Sequence, residues 1–305
     1  MRASAKMPPH AQRLNTYAEL EAYVRAFAQG HLQLLLLFGP PGVGKSRCVR
    51  QALDPPVGWI SGQTTALGIY LAAYEHRHQP LVFDDVDGLY ADRSGIRLLK
   101  SLCQTEQVKT FGWHTTTPIL ELLDVPHQFS TTSRVAVVGN DWKTLNADVA
   151  ALEDRGHVLL FEPTALEVHR QAAGWFWDQA IFDFVAGHLH LMAASLRAYR
   201  QAWELKQAGL DWRRAVLSRC LTGPALLVAR LKADPSFTSE NARVRAFIQA
   251  GAGCRATYYQ HARKLRPPTD VPHIVLTSKA PATVDMPIPD HLDDLRRRYG
   301  RLGNG

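Results

Sequence analysis

Eight consecutive residues, Gly39-Pro40-Pro41-Gly42-Val43-Gly44-Lys45-Ser46, carry the most explicit chemistry in the chain and fit the pattern GxxxxGK[ST]. Glycines at 39, 42 and 44 let a backbone wrap closely around phosphate groups with its N–H donors turned inward. Lys45 supplies a cation for β- and γ-phosphates, and the Ser46 hydroxyl a ligand for Mg²⁺. Pro40, Pro41, Val43 and Arg47 complete the stretch expected to touch nucleotide. An apolar run, Leu32 to Phe38, precedes the motif and a helical pattern follows it, the setting that distinguishes a phosphate loop from a glycine-rich turn.

Such a loop needs an acid at the end of a neighbouring strand. Leu81-Val82-Phe83-Asp84-Asp85 provides two. Asp84 is expected at the Mg²⁺, directly or through water, and Asp85 at the attacking water. A charge pair ending an apolar strand has little structural purpose otherwise. Asp87 extends the acidic cluster and reads as solvated.

The elements that must position these groups follow from the hydrophobic pattern. Asn15 to Gln29 has helical periodicity, and short apolar runs recur at Leu32–Phe38, Gly58–Ser61, Leu81–Phe83, Val135–Val138 and His157–Phe161. Continuous runs of this length are strands buried on both faces, so the first part of the chain predicts an α/β fold around a parallel sheet. Beyond Pro163 the strand signals stop and helical ones take over. The expected parts are an ATPase core with an N-terminal helix over 1–162 and an all-helical lid over 163–221. A small helical basic module over 222–266 and a Pro-rich extension over 267–305, with a short charged helix at His291–Tyr299, complete the chain.

Together these motifs resemble the AAA+ ATPases, over roughly Leu32 to Trp212. The resemblance rests on the phosphate loop, the Asp84-Asp85 strand, the strand Val135-Ala136-Val137-Val138-Gly139-Asn140, and Ala151-Leu152-Glu153-Asp154-Arg155-Gly156. It implies ATP and Mg²⁺ as ligands, Asn140 as the residue that positions water and senses the γ-phosphate, and Arg155 as a finger reaching a neighbouring subunit's nucleotide. Read from the residues alone, Arg155 could instead pair with Glu153 or Asp154. The resemblance also places an arginine early in a lid helix, where Arg197 and Arg200 compete. Most members have Glu where this chain has Asp85. The Asp-Asp pair resembles bacterial helicase loaders and insertion-sequence ATPases, and its shorter side chain implies a closer water or slow hydrolysis.

The chain has 305 residues, 46% hydrophobic and 21% charged, which excludes a disordered or fibrous chain. No apolar run is long enough to span a membrane, and four scattered cysteines make neither a zinc site nor a disulfide framework, so a soluble cytoplasmic protein is expected. Net charge is +7, but residues 1–162 hold 15 basic and 16 acidic residues, whereas 163–305 hold 20 and 12. The excess therefore belongs to the second half and points to a polyanion. There, Ser239–Ala250, a glycine-bearing turn and Arg255–Leu265 resemble a helix-turn-helix, with Arg255, Thr257 and Tyr258 or Gln260 toward a major groove and Arg263, Lys264 and Arg266 toward phosphates. The expected function is an ATP-dependent, self-associating ring or filament that binds DNA in replication initiation, helicase loading or transposition, with a helicase, initiator or transposase as partner. The alternatives are a protein-remodelling machine gripping polypeptide through a Phe111/Trp113 loop, or a switch whose ATP-bound state is the output. Lys109, Phe111 and Trp113 read equally as strand and core aromatics or as a loop stacking on a nucleic-acid strand or gripping a peptide.

Overall fold

The computed structural model describes residues 10–86, 93–104, 106–114, 118–140, 154–176 and 178–266, together with Ile274 and Leu276. Asp87, Glu153 and nearly all of the 267–305 extension, including the expected helix at His291–Tyr299, lie outside the described residues. No described helix is long and apolar enough to cross a membrane.

Six strands form one sheet in which every pairing is parallel: β1 (Gln12–Leu14), β2 (Leu34–Phe38), β3 (Gly58–Ser61), β4 (Leu81–Asp84), β7 (Val135–Gly139) and β8 (His157–Phe161). Their order is β1-β8-β2-β7-β4-β3. β2 lies in the interior with all five residues buried, hydrogen-bonded on one side to β7 and on the other to β8, as its unbroken leucine run requires. β1 has no counterpart in the sequence reading, because three residues carry too little pattern. This is the α/β P-loop NTPase architecture expected from the sequence.

The helices of the first part are α1 (Tyr17–Ala28), α2 (Lys45–Ala52), α3 (Ala66–Glu75), α4 (Arg93–Leu102) and the single turn α5 (Ile119–Leu122). In α1, Thr16 and Glu19 form a capping box, and Tyr17, Leu20, Val24 and Phe27 are buried at helical spacing.

A separate antiparallel hairpin, β5 (Lys109–Gly112) with β6 (Gln128–Thr131), realises the strand-and-core reading of Lys109, Phe111 and Trp113 in place of a gripping loop. Phe111 is fully buried, with ring centroids 5.3 Å from Tyr70 and 5.5 Å from Phe129. Trp113 packs on Tyr70 at 5.8 Å. Lys109 is also wholly buried, its Nζ donating to the Ser133 carbonyl at 2.8 Å, and burial pulls its pKa down. Core packing thus takes up Lys109 and Phe111 wholly and Trp113 in part.

The helical part comprises α6 (Ala165–Ala173), α7 (Gln179–Ala186), α8 (Arg197–Gln207), α9 (Trp212–Ser218), α10 (Gly223–Ala233), α11 (Glu240–Gln249) and α12 (Arg255–Lys264). The chain forms two compact units, 1–169 with 189–200, and 170–188 with 201–305. Residues 189–200 fall in the sheet-bearing unit, where the Leu196 N–H donates to the Gly42 carbonyl of the phosphate loop.

The loop itself approaches the sheet very closely. A Cβ at Gly39 would lie 2.1 Å from the carbonyl oxygen of Phe161 at the end of β8, a backbone atom with no freedom to move aside. Gly39→Ala should therefore lower stability by about 2–4 kcal/mol in thermal unfolding. A parental melting temperature would mean that the loop can lift off β8 without cost.

Candidate functional site

Because the sheet is parallel, the C-terminal ends of β2, β4 and β7 share one edge, where ligands of open α/β sheets bind. β7 separates β2 from β4, so the strand ends that lead into the phosphate loop and carry the acids stand two spacings apart, about 10 Å between backbones. Asn140, directly after β7, stands between them.

Gly42 and Gly44 have φ of 83° and 84°, a left-handed conformation open to glycine, and turn the chain into α2. Lys45 is 5% exposed; its Nζ donates to the carbonyls of Gly39 at 2.8 Å and Pro40 at 2.9 Å, and to Asn140 Oδ1 at 3.3 Å. The other end of the Asn140 amide, Nδ2, donates to Asp85 Oδ1 at 3.0 Å. One side chain therefore connects the phosphate-binding cation to the acid expected at water. Asp85 itself has φ 52°, uncommon outside glycine and tolerated best by Asn and Asp, and its N–H donates to the Val138 carbonyl at 2.9 Å. Backbone strain of this kind concentrates at working sites.

Ser46 Oγ donates to Asp84 Oδ1 at 2.7 Å. Burial pushes the Asp84 carboxyl above its usual range and the neighbouring Asp85 charge adds to that, against the Ser46 hydrogen bond and the cations Arg50 and Lys45. One hydroxyl beside one carboxylate that is costly to ionise fits a Mg²⁺ that brings phosphate and water ligands of its own. Among the described residues no group of three or more acidic, His or Cys side chains could hold an ion alone.

Two further elements hold the loop. The Leu196 N–H donates to the Gly42 carbonyl at 2.7 Å, and a Cβ at Gly42 would meet Ser195 Oγ at 2.7 Å and the Arg197 methylenes at 3.3 Å. Of the two candidate arginines, Arg197 has its side-chain methylenes beside Gly42 of the phosphate loop and is exposed. Tyr17, absent from the sequence reading except as an apolar helix position, donates its hydroxyl to the Val43 carbonyl at 2.6 Å and sets its ring edge-on to Phe161. Nothing in its spacing distinguishes this tyrosine from a core residue. Pro40, Pro41 and Arg47 are exposed around the loop, and Val43 is buried.

Arg155 lies elsewhere. It precedes β8, at the edge where that strand enters the sheet, and five strand residues put it roughly 15 Å from the phosphate edge. Its Nη1 donates to the Lys100 carbonyl at 2.9 Å and its side chain is exposed.

In the basic module α11 and α12 flank the turn 250–254. Tyr258 is fully buried, edge-on to Phe247, with its hydroxyl donating to Glu240 Oε1 at 3.0 Å, which corrects its assignment to a DNA-facing set. Arg255, Gln260, Arg263 and Lys264 are exposed and Thr257 half-buried. Tyr259, which is not among the sequence-predicted residues, lies under the Arg255 guanidinium at 5.7 Å, on the outward face defined by 255, 259 and 263. That i, i+4 series, about a quarter turn round the helix from the buried 258, 262 and 265, is the signal that separates Tyr259 from Tyr258.

No protein-family model and no curated protein matches the chain. Similar solved structures include domain III of the Thermotoga maritima replication initiation protein DnaA, 14% identical with a TM-score of 0.41, covering 71% of this chain and 94% of that one. NtrX from Brucella abortus in complex with ATP is 12% identical, TM-score 0.36, covering 83% and 69%. Drosophila ORC bound to DNA is 13% identical, TM-score 0.33, covering 86% and 81%. Likenesses this remote assign no residue roles.

Asp84 supplies a test independent of turnover. With its pKa raised by folding, the stability it contributes is present below the ordinary carboxylate range and is lost as pH rises through the folded pKa. Asp84→Asn should therefore leave the nucleotide-free protein at least as stable near neutral pH, while the extra stabilisation by Mg²⁺ with ATP disappears. A variant that still gains stability from Mg²⁺ with ATP as the parent does would place the metal elsewhere.

Proposed function

We propose that the chain is an ATP-hydrolysing AAA+ protein that self-associates with nucleotide at subunit interfaces. Its second unit binds DNA, in replication initiation, helicase loading or transposition. The observation that carries this reading is the hydrogen-bonded path from Lys45 through Asn140 to Asp85, which ties a phosphate cation to a water-activating acid across an intervening strand.

In this reading Lys45 neutralises β- and γ-phosphate charge, while Ser46 and Asp84 hold the Mg²⁺. When bound, that ion draws charge from the phosphate oxygens as the terminal bond breaks. Asp85 accepts a proton from, or orients, the attacking water, and Asn140 fixes the carboxylate toward it. Arg197 faces the phosphates from its own chain. The distance of Arg155 from its own phosphate edge supports a role on a neighbouring subunit's nucleotide, where an arginine is worth about 10³–10⁵ in rate. The exposed face Arg255, Tyr259, Gln260, Arg263 and Lys264 supports DNA binding by α12, with Arg255 and Gln260 near base edges and Arg263 and Lys264 at phosphates.

A slow switch is the second reading, because the short Asp85 side chain already accepts from Asn140 and must divide itself between amide and water. The remodelling alternative loses its gripping loop to the buried hairpin.

Turnover per chain should rise with protein concentration and fall at least a thousandfold in Arg155→Ala, ~10³ being the low end for an arginine finger. Asp85→Asn should retain ATP and lose roughly 10²–10⁴ in kcat. A concentration-independent rate with a fully active Arg155→Ala would remove the interface from the mechanism, and normal kcat in Asp85→Asn would remove Asp85.

A further inference from the structure

In the second unit, α9, α10 and the Asp234–Pro235 turn enclose an open cleft of about 260 Å³. Its walls carry Arg213, Arg214 and Arg230, and leucines 217, 227 and 231 line it between them. All three arginines are exposed, and among the described residues none forms an ion pair.

Asp211 and Asp234 line the same cleft, so three guanidiniums face two carboxylates and cations remain in excess. Asp211 accepts the Arg214 backbone N–H at 3.0 Å and Asp234 accepts the Ser236 N–H at 2.8 Å, each occupied in capping its own turn. Glu240, outside the cleft, pairs with Arg243 and Lys232. Residues 201–266 hold 12 basic and 4 acidic residues, so the surplus is concentrated in this unit. Arg213 is also preorganised: its guanidinium lies 4.5 Å from the Trp212 ring and 5.9 Å from Phe184. A guanidinium resting on an aromatic face keeps its edge N–H groups free for an oxyanion.

We propose that this cleft is a second nucleic-acid contact, with the exposed Arg213, Arg214 and Arg230 binding backbone phosphates and the half-buried Leu227 packing on a sugar beside them. The proposal rests on the DNA-binding reading of the second unit and adds to it a phosphate-tracking site independent of the α12 face. Guanidiniums suit phosphate because they form bidentate hydrogen bonds and shed water more easily than ammonium groups. Bound to backbone phosphate, the arginines contribute affinity without sequence preference.

The test is a salt titration of full-length chain binding to a short labelled duplex. Arg214 and Arg230 are altered together and Arg213 is left in place because it packs on Trp212. R214Q/R230Q should reduce the magnitude of the log Kd against log salt slope by roughly 2, about 0.9 for each phosphate no longer neutralised, while R214K/R230K restores most of it. R255A/R263A should weaken binding as well, with the cleft intact. If the parent shows no salt-dependent binding, the DNA reading fails and the cleft falls with it. If R255A/R263A weakens binding but R214Q/R230Q leaves the slope unchanged, the DNA reading survives and the cleft alone is refuted. Polyglutamate of matched charge provides the remaining arm. Weak competition by it supports a phosphate site, whereas competition equal to that of DNA, lost in R214Q/R230Q, assigns the cleft to acidic polypeptide and overturns the proposal.

Discussion

The site is governed by the presence of β7 between β2 and β4. The strand ends that carry the phosphate loop and the acids stand two spacings apart, about 10 Å; Ser46 and Asp84 meet directly at 2.7 Å, whereas Lys45 and Asp85 are joined through Asn140. An amide is well suited to the intervening position, because its oxygen accepts from the ammonium while its nitrogen donates to the carboxylate. An Asp there would repel Asp85, and a Lys would repel Lys45. The amide at 140 thus joins cation and acid across β7.

The phosphate loop is also where other elements meet. It touches the end of β8 through Gly39, α1 through Tyr17 and Val43, and the 195–197 segment through Gly42. Each contact uses a backbone carbonyl or the missing side chain of a glycine. The loop is fixed by its main chain while the Lys45 and Ser46 side chains face the phosphate edge. The Gly42 contact gives the lid segment a direct bond to the loop, so a change in loop geometry on binding phosphate is felt at Leu196 without intermediates.

Much of this is legible locally. The buried runs of β2, β4, β7 and β8 and the glycine-lysine-serine pattern are short-range signals, and they suffice to put Lys45, Ser46, Asp84 and Asp85 on one sheet edge. Features that depend on distant partners are not legible. Lys109 reads as a surface cation until the Ser133 carbonyl and the aromatic hairpin close around it. Tyr17 reads as an ordinary apolar helix position, since its bond to Val43 spans elements far apart in sequence. Tyr258 and Tyr259 are neighbours of identical chemistry, and only the burial of Phe247 and Ala262 decides which faces outward. β1 is too short to leave a pattern at all.

The two halves of the charge distribution have distinct structural settings. The near-neutral first part surrounds a compact phosphate centre, and the cationic surplus lies on exposed arginines of the helical unit with few acids left to answer them. What joins chemistry to fold most directly is Asn140, so the decisive measurement is ATP binding and single-turnover hydrolysis in Asn140→Ala. ATP affinity should stay close to that of the parent while hydrolysis slows by roughly 10²–10³, the cost of one preorganised donor. Hydrolysis at the parental rate would contradict this role, showing that Asp85 finds its orientation without the bridge across β7.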